Sequence, residues 1–178
     1  MGRRYSGLDT GNAGLMTTTL TLTGGRVYAQ PFTVPRTTLF NAIGFNITGG
    51  FFIAGSAHHA LYRMRPEDLL NADLIASIAD VPYAAVPGAY EAAITLQVNQ
   101  GVYWLMSAFD STPIVTSMAA SVDSKIPFGL PGLGVTPRDQ ILYTDALVVP
   151  PWPAVVALTI PGLENTPRVL LNTSSVLF

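Results

Sequence analysis

The chain has 178 residues, of which only 11% are Asp, Glu, Lys or Arg, with a net charge of −2 and no cysteine. An average soluble protein carries roughly 25% charged residues, so this surface is sparsely charged, and its near balance offers no electrostatic footprint for nucleic acid or an anionic membrane. The lack of cysteine excludes a disulfide framework and thiolate metal sites, while the length suits one domain that buries its own core.

Residues 1–15 are polar and glycine-rich without periodicity and predict an N-terminal arm. The opening MGRRYS matches a myristoylation pattern and a twin-arginine pattern on paper, but GLDTGNAG follows and no apolar stretch does. The arm is expected to be flexible or bound by a partner, with Arg3, Arg4 and Tyr5 as assembly contacts.

A sandwich core is expected over 16–125. TTTLTLT (17–23) sets Leu20 and Leu22 on one face and threonines on the other. RVYAQPFTV sets Val27, Ala29, Pro31 and Thr33 against Tyr28, Gln30, Phe32 and Val34. Pro31 predicts an edge position or a bulge, because it cannot donate to a ladder. LFNAIGFNIT sets Phe40, Ala42, Gly44 and Asn46 against Leu39, Asn41, Ile43, Phe45 and Ile47, and the Gly49-Gly50 turn closes it. In SAHHALYRM, Ala57, His59, Leu61 and Arg63 oppose His58, Ala60, Tyr62 and Met64.

PEDLLNADLIASIA holds the one expected helix, a short one near 66–72. Pro66 suits a first turn and Glu67-Asp68 a helix N-terminus, with a strand near 74–79 after it. EAAITLQV and VYWLMSAF read as two strands that Asn99-Gln100-Gly101 joins in a tight hairpin. IVTSMAAS follows Pro113. Residues 126–178 form a proline- and glycine-rich extended segment with a strand at ILYTDAL and a closing strand at RVLLNTSSVLF, packed on the sandwich or on a neighbouring subunit. Roughly seven to nine short strands with almost no helix predict an all-β fold, an antiparallel β-sandwich of jelly-roll-like type.

Three segments, 37–62, 92–109 and 146–163, carry no charge and approach the roughly 20 residues of a membrane span. Glycines and His58-His59 break the first, polar alternation the second, and Pro150, Pro151, Pro153 and Pro161 the third. No membrane insertion is expected.

The His58-His59 pair draws attention first. Neighbours on a strand face opposite ways, so the two rings cannot share one ion, and no third His or Cys exists to help. One is expected inside and the other at solvent or a neighbouring subunit. There is no G-x-S-x-G, P-loop or G-x-G-x-x-G. Acid pairs such as Asp110 and Asp145 are present, but nothing singles them out for glycosidase chemistry. No catalytic residue, metal or cofactor is expected.

Tyr103-Trp104 offers one core ring and one exposed or interface ring. Packing is the plainer role for Trp104, sugar stacking the sharper one. VPPWP (149–153) predicts polyproline II able to enter a partner's groove, or a loop that packs Trp152 on the sandwich. Trp104, Trp152 and His59 are thus the candidate glycan or interface contacts.

Between residues 25–62 and 91–105 the order of motifs resembles a β-sandwich module of tailed-bacteriophage structural proteins. The matching residues are Phe32, Val34, Pro35, Thr38, Phe40, Ile43 and Gly44, then Gly55-Ser56-Ala57 leading to Leu61-Tyr62, then Leu96, Gly101 and Tyr103-Trp104-Leu105. The closing PGLENTPRVLL is also similar to such proteins, whereas RPEDLLNADLIAS is longer than the turn usual after the Leu-Tyr strand. The resemblance implies a virion component, commonly trimeric, and carries over no catalytic residue. It makes the expected partners other copies of the chain, other virion proteins and a host surface glycan, with the virion, assembled in the host cytoplasm, as the location. A tail-fibre, adaptor or receptor-binding part is expected, with capsid decoration or a head-fibre base as the alternative. A free glycan-binding module and a hydrolase are the competing classes.

Overall fold

The computed structural model describes residues 4–5, 17–65, 67–118, 142–144, 149–157, 166–167 and 169–176. Among these, every regular element is a strand. The first seven are β1 (Arg4–Tyr5), β2 (Thr17–Thr21), β3 (Val27–Val34), β4 (Thr38–Gly49), β5 (Gly55–Arg65), β6 (Asp68–Tyr83) and β7 (Gly88–Val98). The others are β8 (Gly101–Phe109), β9 (Ile114–Met118), β10 (Leu142–Thr144), β11 (Val155–Ala157), β12 (Thr166–Pro167) and β13 (Leu170–Val176). They build two antiparallel sheets, a β-sandwich as expected. In one, β4 has β7 on one side and β13 followed by β9 on the other; β1 extends from β13, and β2 and β12 pair with β9. The other runs β10-β3-β8-β5-β6-β11.

One long ribbon ties the sheets together. β3 and β4 form one arm that passes between sheets at 35–37, and β7 and β8 run back alongside it, passing at 99–100. Val34 pairs with Gly101 before the bend and Thr38 with Val98 after it. A ribbon folded over both layers is the jelly-roll device. The hairpin expected at Asn99-Gln100-Gly101 is therefore a crossing between sheets. Burial explains why: β7 alternates half-buried with exposed residues, as an edge strand does, while Tyr103–Phe109 of β8 is buried on both faces and takes a central place between β3 and β5.

The helix near 66–72 is absent. Asp68–Tyr83 is a single strand of 16 residues, paired with β5 and, at Asn71, Ala72 and Asp73, with β11. Two ladders satisfy its backbone there, which overrides a weak helix-start signal. Alternation along β4 is corrected as well. A register shift between Phe40 and Ala42 brings Phe40 onto the same core as Ile43 and Phe45, residues that strict alternation places on opposite faces. Among the described residues, Pro31 pairs with Trp104 of β8, and β10 pairs with β3 at Val27–Ala29.

Two apolar layers result. Between the sheets, Phe40, Ile43, Phe45, Leu61, Leu105, Phe109, Val115 and Leu171 are buried, and the Phe45 and Phe109 rings meet edge-on at 5.0 Å. On the far side of β3, β5 and β8, Val27, Ala29, Ala60, Tyr62, Trp104 and Met106 are equally buried, with Trp152 and Val156 packed on them. Tyr62 donates to the Pro153 carbonyl at 2.7 Å, and the Leu74 amide donates to the Ala154 carbonyl at 2.8 Å. Burial pushes the Tyr62 phenol up to about 12, so it stays a donor. The stretch expected as polyproline II instead contains cis peptide bonds at Val149–Pro150 and Pro150–Pro151. Segment 126–178 thus supplies strands to both sheets.

Candidate functional site

Four connections gather at the end of the sandwich where β5 begins: 22–26, 50–54, 84–87 and 110–113. The Leu22 amide donates to the Pro113 carbonyl at 3.1 Å. Ser111 is the hub. Its amide donates to the Tyr83 hydroxyl at 3.1 Å, its Oγ lies 2.9 Å from that hydroxyl, and the Oγ donates to the Ile53 carbonyl at 3.1 Å. The Tyr90 hydroxyl donates to the Val86 carbonyl at 2.6 Å, fixing 84–87 in turn. Gly50 turns the chain with φ +99, open to glycine at little strain. Gly55 is required by contact: a Cβ there would meet the Asp110 Cβ at 2.9 Å and the Tyr83 hydroxyl at 3.0 Å.

On this pinned scaffold three apolar side chains stand in solvent. Phe51 is fully exposed, Ile53 is 70% exposed and Val86 is 56% exposed. Phe52 between them turns inward, 6.3 Å from the Tyr83 ring. An aromatic ring held in water by ordered loops forms a ready contact, since covering a Phe side chain contributes about 1.5–3 kcal/mol.

Beside the loops lies His58, 8% exposed. Its Nε2 is 2.9 Å from Asp110 Oδ1 and its Nδ1 is 2.9 Å from Asp80 Oδ1. Asp110 also accepts from the Ser56 amide at 2.8 Å and returns its own amide to the Ser56 carbonyl at 3.1 Å. Burial alone would lower the His58 pKa, but the contacts with Asp110 and Asp80 outweigh it and hold the ring above its ordinary value. Burial likewise opposes ionisation of Asp110, yet His58 and the Ser56 N–H bring its carboxyl below the ordinary range.

His59, the next residue, faces the other way. It is wholly buried between the sheets, with Nδ1 2.8 Å from Ser107 Oγ and its ring against Phe45 and Phe109. Burial, aided by the charge of His58, lowers its pKa to about 3, so the imidazole is neutral. The pair divides between two faces as expected, but His58 does not stand at solvent: Asp80 and Asp110 enclose it, and both rings are buried.

The other sequence candidates are distributed as follows. Trp104 is wholly buried under the outer layer and Trp152 is 7% exposed against Tyr62, their rings 6.2 Å apart. Neither they nor His59 present a ring to solvent; all three are buried within this chain. Arg4 and Tyr5 pair with Asn172 and Leu171, adding a short strand to a sheet. Arg3 and Asp145 lie outside the described residues. Sequence alone does not mark Asp80, Asp110 or Phe51 as a site. Asp80 and Asp110 are 22 and 52 positions from His58, and a register shift in β5–β6 between Ala57 and His59 decides which residue meets it. For Phe51 the available signal was the Gly49-Gly50 turn before it. No protein-family model matches the chain, and no curated protein shows significant similarity to it.

Proposed function

We propose that this protein is an assembly subunit, a homotrimeric structural component of a tailed-phage type of virion, carried on the tail as a fibre, adaptor or receptor-binding part. The observation that carries the assembly reading is Phe51, fully exposed on loops that Ser111, Tyr83 and Tyr90 hold in place, with Ile53 and Val86 on the same loops. Subunit interfaces take aromatic anchors of this kind, and obligate interfaces are more apolar than ordinary surface. The sparse charge of the chain agrees with a surface covered by neighbours.

The virion assignment rests on the motif resemblance. Its residues Phe40, Ile43, Ala57, Leu61, Tyr103, Trp104 and Leu105 all serve the buried layers here. They specify a sandwich, so virion membership needs a test of its own. Light scattering after size exclusion gives the first: the reading expects about three times the 18.9 kDa chain mass, and a monomer at all micromolar concentrations contradicts the trimer. Co-sedimentation of the tagged chain with phage particles from its host then tests membership, and a chain that never enters particles contradicts it.

A further inference from the structure

We propose that Asp80, His58 and Asp110 form a pH-operated latch that holds loops 50–54 and 110–113 closed over the start of β5 while His58 carries two ring protons, and lets them part when it loses one. The geometry favours both protons: Nε2 is hydrogen-bonded to Asp110, and Nδ1 lies within ion-pair distance of Asp80. Each ring nitrogen faces a carboxylate oxygen at 2.9 Å, and only the imidazolium has an N–H at both. The neutral ring turns a lone pair toward one carboxylate, which converts an attraction into a repulsion. The Nδ1–Asp80 contact is the less well aligned of the two, so Asp110 holds the firmer bond.

The latch joins three elements. His58 belongs to β5, Asp80 to β6, and Asp110 to the connection after β8. Among the described residues, those two carboxylates are the titratable groups that face the ring: on β8 the residue opposite His58 is Ala108, and His59 on its own strand points into the core. Asp110 carries the effect outward. It is bonded both ways to Ser56, and its neighbour Ser111 holds the Ile53 carbonyl, two residues from Phe51.

The sign follows from the two groups. His58 is raised, so its contribution is complete below about 6.5 and disappears as pH climbs through the raised value. Asp110 is lowered, so its share is present at neutral pH and is lost only as pH falls below the ordinary carboxylate range. The latch is closed below about pH 6.5 and opens as pH rises through the raised His58 value. This does not depend on what the loops contact.

Amide exchange of the full chain between pH 6 and pH 9, corrected for the intrinsic rise with pH, tests it. Peptides covering 50–56 and 108–113 should gain about tenfold for each pH unit by which the latch raises the His58 pKa, while β3 stays protected. His58→Gln should exchange quickly there at both ends of the range, and Asp80→Asn should move the midpoint to lower pH. A wild-type chain with no excess exchange at pH 9 overturns the latch. So does a His58→Gln chain that keeps the wild-type profile, or an Asp80→Asn chain with an unmoved midpoint; if His58→Gln fails to fold, the other two measurements decide.

Discussion

The outer side of β3, β5 and β8 and the loop end beside β5 treat their aromatic residues in opposite ways. On the first, Trp104 is sealed completely and Trp152 closes over Tyr62. At the second, Phe51 stands wholly in water although its neighbours are fixed by a network around Ser111. A large ring is thus no guide to a contact surface by itself. What matters is whether the sheet has a covering layer at that point, and here segment 149–157 covers the tryptophan face.

The strongest way to break this contrast is at its sealed side. Trp104→Ala removes a wholly buried indole and should cost about 3–5 kcal/mol, read from urea unfolding. A loss under about 1 kcal/mol would place Trp104 at a yielding surface and dissolve the distinction.

The histidine pair repeats the contrast across one strand, and pH sharpens it. His59 is neutral when folded down to about pH 3 but takes up a proton near 6.5 when unfolded, so stability falls as pH drops through that window. The slope should approach roughly 1.4 kcal/mol per pH unit between about pH 6 and pH 4. His58 contributes no slope there, being protonated in both states. His59→Leu should flatten the profile, and an unchanged slope would mean that the ring has access to water in the fold.

A smaller effect marks the approach of β7 to β4. A Cβ at Gly44 would lie 2.6 Å from the Tyr90 carbonyl oxygen, a backbone atom that cannot swing aside. Gly44→Ala should cost about 1–3 kcal/mol by the same assay. A neutral result would show that the two strands are free to separate locally.

Much of the fold was legible because strand alternation survives in β3, β5 and β8. Val27 and Ala29 do oppose Tyr28 and Val34, and Ala60, Tyr62 and Met64 do oppose Ala57 and Leu61. Alternation failed where a backbone irregularity inserts itself, as at Phe40–Ala42, because a bulge leaves no local mark in the side-chain pattern. Partner choice was invisible too. Asn99-Gln100-Gly101 suits a hairpin and a crossing equally, and Pro66-Glu67-Asp68 suits a helix start until two ladders claim the following residues. Less of the candidate site could be seen. His58 was noticed, but Asp80 and Asp110 reach it only through register, and Phe51 gains its meaning only once its loop is pinned.

The smallest effect on stability belongs to the residue with the largest expected effect on assembly. Phe51→Ser touches no packed neighbour and should leave the unfolding free energy within about 0.5 kcal/mol. The decisive measurement is therefore the solution mass of the Phe51→Ser, Ile53→Ser chain beside the wild type, by light scattering at one micromolar concentration. A wild-type mass of about three chains of 18.9 kDa is expected, beside a variant that is folded but monomeric. Two chains of equal mass, whether both trimers or both monomers, would contradict it.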